Sequence, residues 1–199
     1  MKRLAMIMGV TYVTLMLAAC GGNTQNDSKA FADSTNKAKD SSKNDTATTS
    51  AAGLTVSKVN SEFAVSAANG GMAEVELGKL AQEKASNQAV KDFGAMMVKD
   101  HSKANEEMIG IAKSKNITLP ATLGKDEQKV KDDLAAKSGA EFDKAYVEDM
   151  VEDHKKDVKE FDEATRKLTD PELKAFAMKT LPVLKTHLSE IQKIKGQLK

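Results

Sequence analysis

The three histidines are the residues of this chain best suited to chemistry. At 100° per residue, His101, His154 and His187 each fall within the apolar stripe of a separate predicted helix. Glu74 lies at the edge of the stripe of a further helix. Imidazole nitrogens and a carboxylate are ligands for Zn, Fe, Mn or Cu. Because buried polar groups need partners, the four residues predict a site for one transition metal ion.

The heights of these residues along their helices also agree. Glu74 and His101 lie about 12 and 14 residues from the turn between them, at 1.5 Å of rise per residue. His154 and His187 lie about 15 and 17 residues from their own turn. Each pair is therefore level to within a few ångströms, and the four side chains can converge at the middle of the helices.

Two methionines widen the choice of metal. Met97 and Met150 each precede a histidine by four residues and share its face. A thioether beside an imidazole favours Cu(I), although methionine at helical spacing is more often apolar filler. An alternative needs no metal at all: the histidines hydrogen-bond to Glu74 and to each other, and they fix the register of the helices.

A di-iron carboxylate centre is disfavoured. Such centres take Glu-x-x-His from two helices. The residues three before the histidines are Val98, Val151 and Leu184, so this motif is missing each time. His154-x-x-Asp157 reverses the order. One mononuclear site fits the sequence better.

Amphipathic helices must position these side chains. The pattern predicts four long helices and one short one: Lys58–Ala85, then from the N-cap Asn87 to Lys115, a short helix Lys125–Lys137, Ala140–Leu168, and from Pro171 to the end of the chain. Gly70-Gly71 is expected to loosen the first helix, and Pro182 is expected to kink the last by freeing the carbonyl of Met178.

The connections predict the topology. Short turns make the first two long helices antiparallel, and likewise the last two. The longer connection, with its own short helix, favours a crossover. We therefore predict an all-α fold: a ferritin-like antiparallel four-helix bundle over residues 57–199, with an extra short helix between helices two and three. An up-down bundle is the alternative.

The first twenty residues predict export. Lys2 and Arg3 precede a short apolar run, Leu4–Ala19, which is too short to span a bilayer comfortably. The run ends in Leu17-Ala18-Ala19-Cys20, which resembles a bacterial lipobox. Residues 1–19 are then a lipoprotein signal peptide, and Cys20 is the lipidation site. The alternative is an ordinary secretory signal with a chance cysteine.

A polar tether is predicted after the anchor. Residues 20–56 hold the lipidated cysteine and a linker rich in Ser, Thr, Asn, Asp, Lys and Ala, which we expect to be disordered. No aspartate follows Cys20. By resemblance to lipoprotein sorting, this favours lipid anchoring at the outer membrane. The sequence does not indicate whether the protein lies on the periplasmic face or the surface face.

Composition excludes several classes of protein. The 199 residues suit one domain. Because 30 basic residues are balanced by 29 acidic ones, the chain lacks the excess positive charge that is typical of nucleic-acid binding. A single cysteine rules out a disulfide framework within the chain. The sequence identifies no protein partner and no oligomeric state.

Four segments carry a resemblance to a known family. These are Gly70-Gly71-Met72-Ala73-Glu74-Val75-Glu76-Leu77-Gly78-Lys79-Leu80-Ala81, Met97-Val98-Lys99-Asp100-His101, Met150-Val151-Glu152-Asp153-His154, and Thr180-Leu181-Pro182 with His187. Over about residues 58–193 the chain resembles the bacterial domain of unknown function 4142 family, whose members are ferritin-like and often labelled predicted outer membrane protein. The resemblance implies an exported four-helix bundle and supplies no activity. The family pattern matches at Glu74, His101, His154 and His187.

The sequence supports two candidate functions. The first is transition-metal binding at mid-bundle, in metal handling or envelope stress. The second is a non-enzymatic structural or interaction module of the cell envelope, in which the buried His/Glu cluster is purely structural. A metal-dependent oxidoreductase is a weaker third, because it needs an open coordination position and the sequence reveals no substrate pocket.

Overall fold

The computed structural model describes residues 27–41 and 57–198. These residues form six α-helices and no strand: α1 Ser28–Ser41, α2 Lys58–Lys84, α3 Gln88–Ser114, α4 Lys125–Ala135, α5 Gly139–Lys167 and α6 Pro171–Gln197. The prediction of an all-α chain is confirmed. Within these ranges no helix is long and apolar enough to cross a membrane.

Two buried apolar clusters fix the directions of the long helices. One cluster, which we call the upper cluster, joins the end of α2, the starts of α3 and α5, and the end of α6. The lower cluster joins the start of α2, the ends of α3 and α5, and the start of α6. Helices α3 and α5 therefore run in the same direction, and the chain crosses the length of the molecule between them.

Each long helix contacts two others. α2 packs along α3, α5 packs along α6, and further contacts join α2 to α5 and α3 to α6. This places α2 diagonal to α6. The crossover helix α4 packs on α2 and α5. The glycine pair does not interrupt α2, and α6 continues through Pro182 as one helix.

Helix α1 corrects the prediction of a disordered linker over residues 20–56 for one part only, since residues 20–26 and 42–56 lie outside the described residues. The segment Ser28–Ser41 is helical and packs on α2. Polar contacts order it: Asn36 donates to the carbonyl of Thr118 at 2.8 Å and accepts from the Thr118 amide at 2.8 Å. The Ser28 hydroxyl accepts from the amides of Ala121 and Thr122. The prediction of disorder depends on the low apolar content of this segment, and composition carries no information about such hydrogen bonds.

Buried polar side chains hold both interhelical turns. At the upper end, the Asp143 carboxylate on α5 accepts from the amides of Ser86 and Asn87, at 3.0 and 2.9 Å. At the lower end, Asn60 on α2 accepts from the Thr169 amide at 3.1 Å and donates to its hydroxyl at 3.0 Å. Each hairpin turn is thus fixed by a helix of the other hairpin.

Two glycines allow α2 and α3 to approach closely. A Cβ on Gly78 would lie 2.6 Å from the Gly94 carbonyl oxygen, and a Cβ on Gly94 would lie 2.7 Å from that of Gly78. Real side chains do not reach such separations, so the backbones can meet only because both residues are glycine. The contact lies one turn above Glu74 and about two turns above His101, and it sets the spacing between these two residues.

We expect Gly94→Ala to lower the free energy of unfolding by about 1–3 kcal/mol, because the added methyl group overpacks the α2–α3 contact. Gly110→Ala is the matched control on the same helix, since a Cβ there meets nothing within 4 Å. It should be neutral or raise stability by up to about 1 kcal/mol, as alanine favours helix. Urea unfolding measures both; equal effects would contradict the assigned contact.

Candidate metal centre

Three histidines meet in the middle of the four long helices. His101 on α3, His154 on α5 and His187 on α6 are all buried, and so is Glu74 on α2. The ring centroids are 6.0 Å apart for His101 and His154, 5.3 Å for His101 and His187, and 5.5 Å for His154 and His187. The structure therefore brings together the residues that the sequence predicted to converge.

One nitrogen of each ring has a partner in the protein. His101 Nδ1 lies 2.6 Å from Glu74 Oε2, and His187 Nε2 lies 3.1 Å from Asp100 Oδ2. His154 Nδ1 lies 3.0 Å from the carbonyl oxygen of Met150. The Met150 carbonyl can only accept, so His154 Nδ1 carries the proton and donates. Charged carboxylates also accept, so with Glu74 and Asp100 charged, His101 Nδ1 and His187 Nε2 are the protonated nitrogens.

The opposite nitrogen of each ring has no partner. His101 Nε2, His154 Nε2 and His187 Nδ1 are buried without a hydrogen bond in the described part of the chain. In these tautomers all three present a lone pair. Metal-binding histidines have this arrangement: one nitrogen donates to a carboxylate or carbonyl, and the other faces the ion.

The spacing of the rings suits a single ion. One nitrogen from each histidine lies within 4.8 Å of those of the other two. In a tetrahedral site with bonds of about 2.0–2.1 Å, ligand nitrogens are roughly 3.3 Å apart. Shifts of less than about 1 Å per ring would bring the three nitrogens onto one ion. The residues present therefore fit a transition metal.

A comparison with known families adds one result. The model of a family described as Domain of unknown function (DUF4142) matches residues 45–194. The chain belongs to the DUF4142 family. No curated protein matches the chain, and no solved structure does.

A second group of carboxylates surrounds Glu74 in this DUF4142 protein. One oxygen from each of Glu74, Asp153 and Asp157 lies within 4.8 Å of the others. Burial raises the pKa of Glu74 well above its usual value, with the charge of Asp153 adding to the effect. Burial, then the charge of Asp149, raises the pKa of Asp153 to about 6. A cation among these groups would favour their charged forms.

The histidine rings are held neutral. Burial lowers the pKa of His101 to about 4 and that of His154 to about 3, and it also lowers the pKa of His187. Neutral imidazole is the form that binds a metal ion. At neutral pH, protons therefore do not compete with a metal for these three nitrogens.

The sequence missed the acidic partners of the site. Asp100, which holds His187, is one residue from His101 on the helix, so periodicity gave no reason to connect it with α6. Asp157 lies one turn after His154, and that spacing was a usable signal. Asp153 adjoins His154, where helical geometry points it to a different side.

Other acidic and sulfur-containing candidates lie elsewhere. Glu76 turns away from the centre and pairs with Lys79 and Lys131 at 2.8 and 2.7 Å. Met97 and Met150 are fully buried in the upper cluster. The carbonyl of Met150 holds His154, while a ligand role for either thioether stays a prediction.

Acid should destabilise the metal-free protein through His154. Below the ordinary histidine pKa of 6.5 the unfolded chain takes up a proton, whereas the folded chain does so only near pH 3. Stability from this residue is complete above pH 6.5 and falls as the pH drops toward 3, by up to about 1.4 kcal/mol per unit.

Urea unfolding of the wild type and His154→Leu between pH 7.5 and pH 4.5 isolates this effect, because the raised carboxylate pKa values affect both proteins. The difference in unfolding free energy should move in favour of the leucine variant as the pH falls. Parallel pH profiles would show that His154 is not held neutral by the fold.

Proposed function

We propose that this protein binds one transition metal ion, Zn, Fe, Mn or Cu, through His101 Nε2, His154 Nε2 and His187 Nδ1. The observation that carries the proposal is the set of three buried ring nitrogens that have no hydrogen-bond partner among the described residues. Three unsatisfied buried acceptors are costly, and a cation satisfies all of them together. A bound ion would supply Lewis acidity at this place.

Glu74 has a double role in this proposal. Its Oε2 holds His101, while its Oε1 has no hydrogen bond within residues 27–41 and 57–198 and lies 3.4 Å from His154 Nε2. Oε1 is therefore close enough to face the ion or to offset its charge from the α2 side. Asp100 acts as a positioning residue, since it touches only the far nitrogen of His187.

The cellular setting is proposed from the sequence. The lipobox-like segment supports an exported lipoprotein, anchored through Cys20 to the outer membrane; residues 1–26 lie outside the described residues. The up-down-down-up order of the long helices and the crossover helix α4 support a ferritin-like four-helix bundle. A metal centre in such a protein suits metal handling or envelope stress.

A structural module of the cell envelope is the second candidate. It is favoured by the hydrogen bonds that satisfy one nitrogen of each histidine, because they tie α2 to α3, α3 to α6, and His154 to its own helix. Under this alternative, His154→Leu folds at least as well as wild type. Chelators would then leave the melting temperature unchanged.

Metal content tests the proposal directly. The full chain, purified in detergent and dialysed in turn against Zn, Fe, Mn and Cu, should retain about one ion per chain, the stoichiometry of a mononuclear site. His101→Ala should lose it, because one of three ligands is gone. Lys99→Ala, an exposed position on the same helix, is the control and should retain it. Equal metal content in all three proteins would overturn the proposal.

The role of Asp100 is testable by affinity. Asp100→Asn should weaken metal binding by about 10–100-fold, the usual effect of losing a carboxylate that orients a ligating histidine. Asp92→Asn removes the same charge at an exposed position of α3 and should leave the affinity unchanged. Competition against a chromophoric chelator measures both; equal losses would assign the effect to net charge.

A further inference from the structure

A cavity of about 190 Å³ lies between α3 and α6 and reaches the histidine centre. His101 and His187 line it, although their exposed fractions are only 6% and 1%. The exposed side chain of Val183 lines its outer part and is 39% accessible. The cavity therefore connects the surface with two of the three rings that have an unpartnered nitrogen.

The cavity approaches the centre from the side opposite Glu74. Helix α2, which carries Glu74, lies diagonal to α6 and contacts α3 and α5. Glu74 and His154 therefore close the centre from α2 and α5, whereas the α3–α6 side is left to the cavity. If Glu74 Oε1 offsets the charge of the ion without binding it, an ion held by the three histidines would keep a coordination position for a ligand that enters from this cavity.

Size limits what the cavity can admit. Its volume equals that of about six water molecules at roughly 30 Å³ each. Sites for drug-sized ligands are larger, at about 300–1,000 Å³. A ligand of a few heavy atoms therefore fits.

Charge indicates the class of ligand. The charged lining consists of two carboxylates and two lysines: Asp100, Glu107, Lys103 and Lys179. Asp100 bonds to His187 and Glu107 pairs with Lys179, whereas Lys103 has no ion pair within the described residues. The lining is thus balanced, and a divalent ion on three neutral histidines makes the inner end of the cavity positive.

We propose that the α3–α6 cavity is the route by which a small inorganic anion reaches and binds the metal ion. This inference rests on the proposed function, since it requires an ion on the three histidines. It adds an exchangeable coordination position, which a purely structural metal site lacks.

Azide is the probe for this proposal, and Co(II) is the reporter ion. The full chain in detergent is loaded with Co(II), and its metal content is counted first. Azide titration should then change the visible absorption of the bound Co(II), because the spectrum depends on the ligands and geometry of the ion. Wild type that carries Co(II) but does not respond to azide would overturn the inference and leave the proposed function standing.

Two variants test the route itself. Val183→Trp narrows the cavity from α6, and Lys103→Trp narrows it from α3; each should lower the association rate of azide, measured by stopped-flow absorption of the bound Co(II), by at least about tenfold. Gln192→Trp is the control, because it adds the same side chain to an exposed position of α6 outside the cavity. Comparison is made at equal Co(II) content and equal helicity.

The outcomes separate the two proposals. Slower azide binding in either cavity variant, with the control unchanged, supports the route. Wild-type binding rates in both cavity variants would show that azide reaches the metal from elsewhere and would overturn it. A wild type that retains neither Co(II) nor any of Zn, Fe, Mn and Cu, or whose Co(II) persists in His101→Ala, would overturn the proposed function together with this inference.

Discussion

The centre of this molecule depends on three imidazole nitrogens that are buried without a hydrogen-bond donor in the part of the chain that the structure describes. Each ring donates the N–H of one nitrogen to an acceptor in these tautomers, so its other nitrogen can only accept. A protein interior tolerates very few such atoms, since each costs free energy in proportion to its isolation from water. Three such nitrogens near one point form a site that a bound cation would stabilise. An apolar core would not contain such atoms.

The helices are tied together by contacts that hold this point in position. Facing glycines let α2 and α3 meet backbone to backbone, beside Glu74 and His101. At the two ends, Asp143 and Asn60 hold the turns of the opposite hairpin, and Asn69 accepts from the Gly124 amide where the crossover enters α4. These buried polar residues define how the helices are ordered and aligned, which apolar packing alone leaves more open.

Helical periodicity carried most of the information that the sequence offered. It gave the long helices, the inward direction of the three histidines and their common height, because all three depend on the regular rise and rotation of an α-helix. It could not give the tautomers, or the bond from Asp100 to His187, because these depend on how separate helices rotate against one another. Helix α1 was missed because Asn36 and Ser28 order it through long-range hydrogen bonds that composition does not record.

The crossover between α3 and α5 divides the centre between two hairpins. Glu74 and His101 belong to the hairpin α2–α3, and His154 and His187 belong to the hairpin α5–α6. Each hairpin is local in sequence and can form early in folding, whereas docking one on the other must first close the long loop through α4. The centre is therefore complete only when the two hairpins have docked on each other, and an assembled centre reports that the two halves have come together.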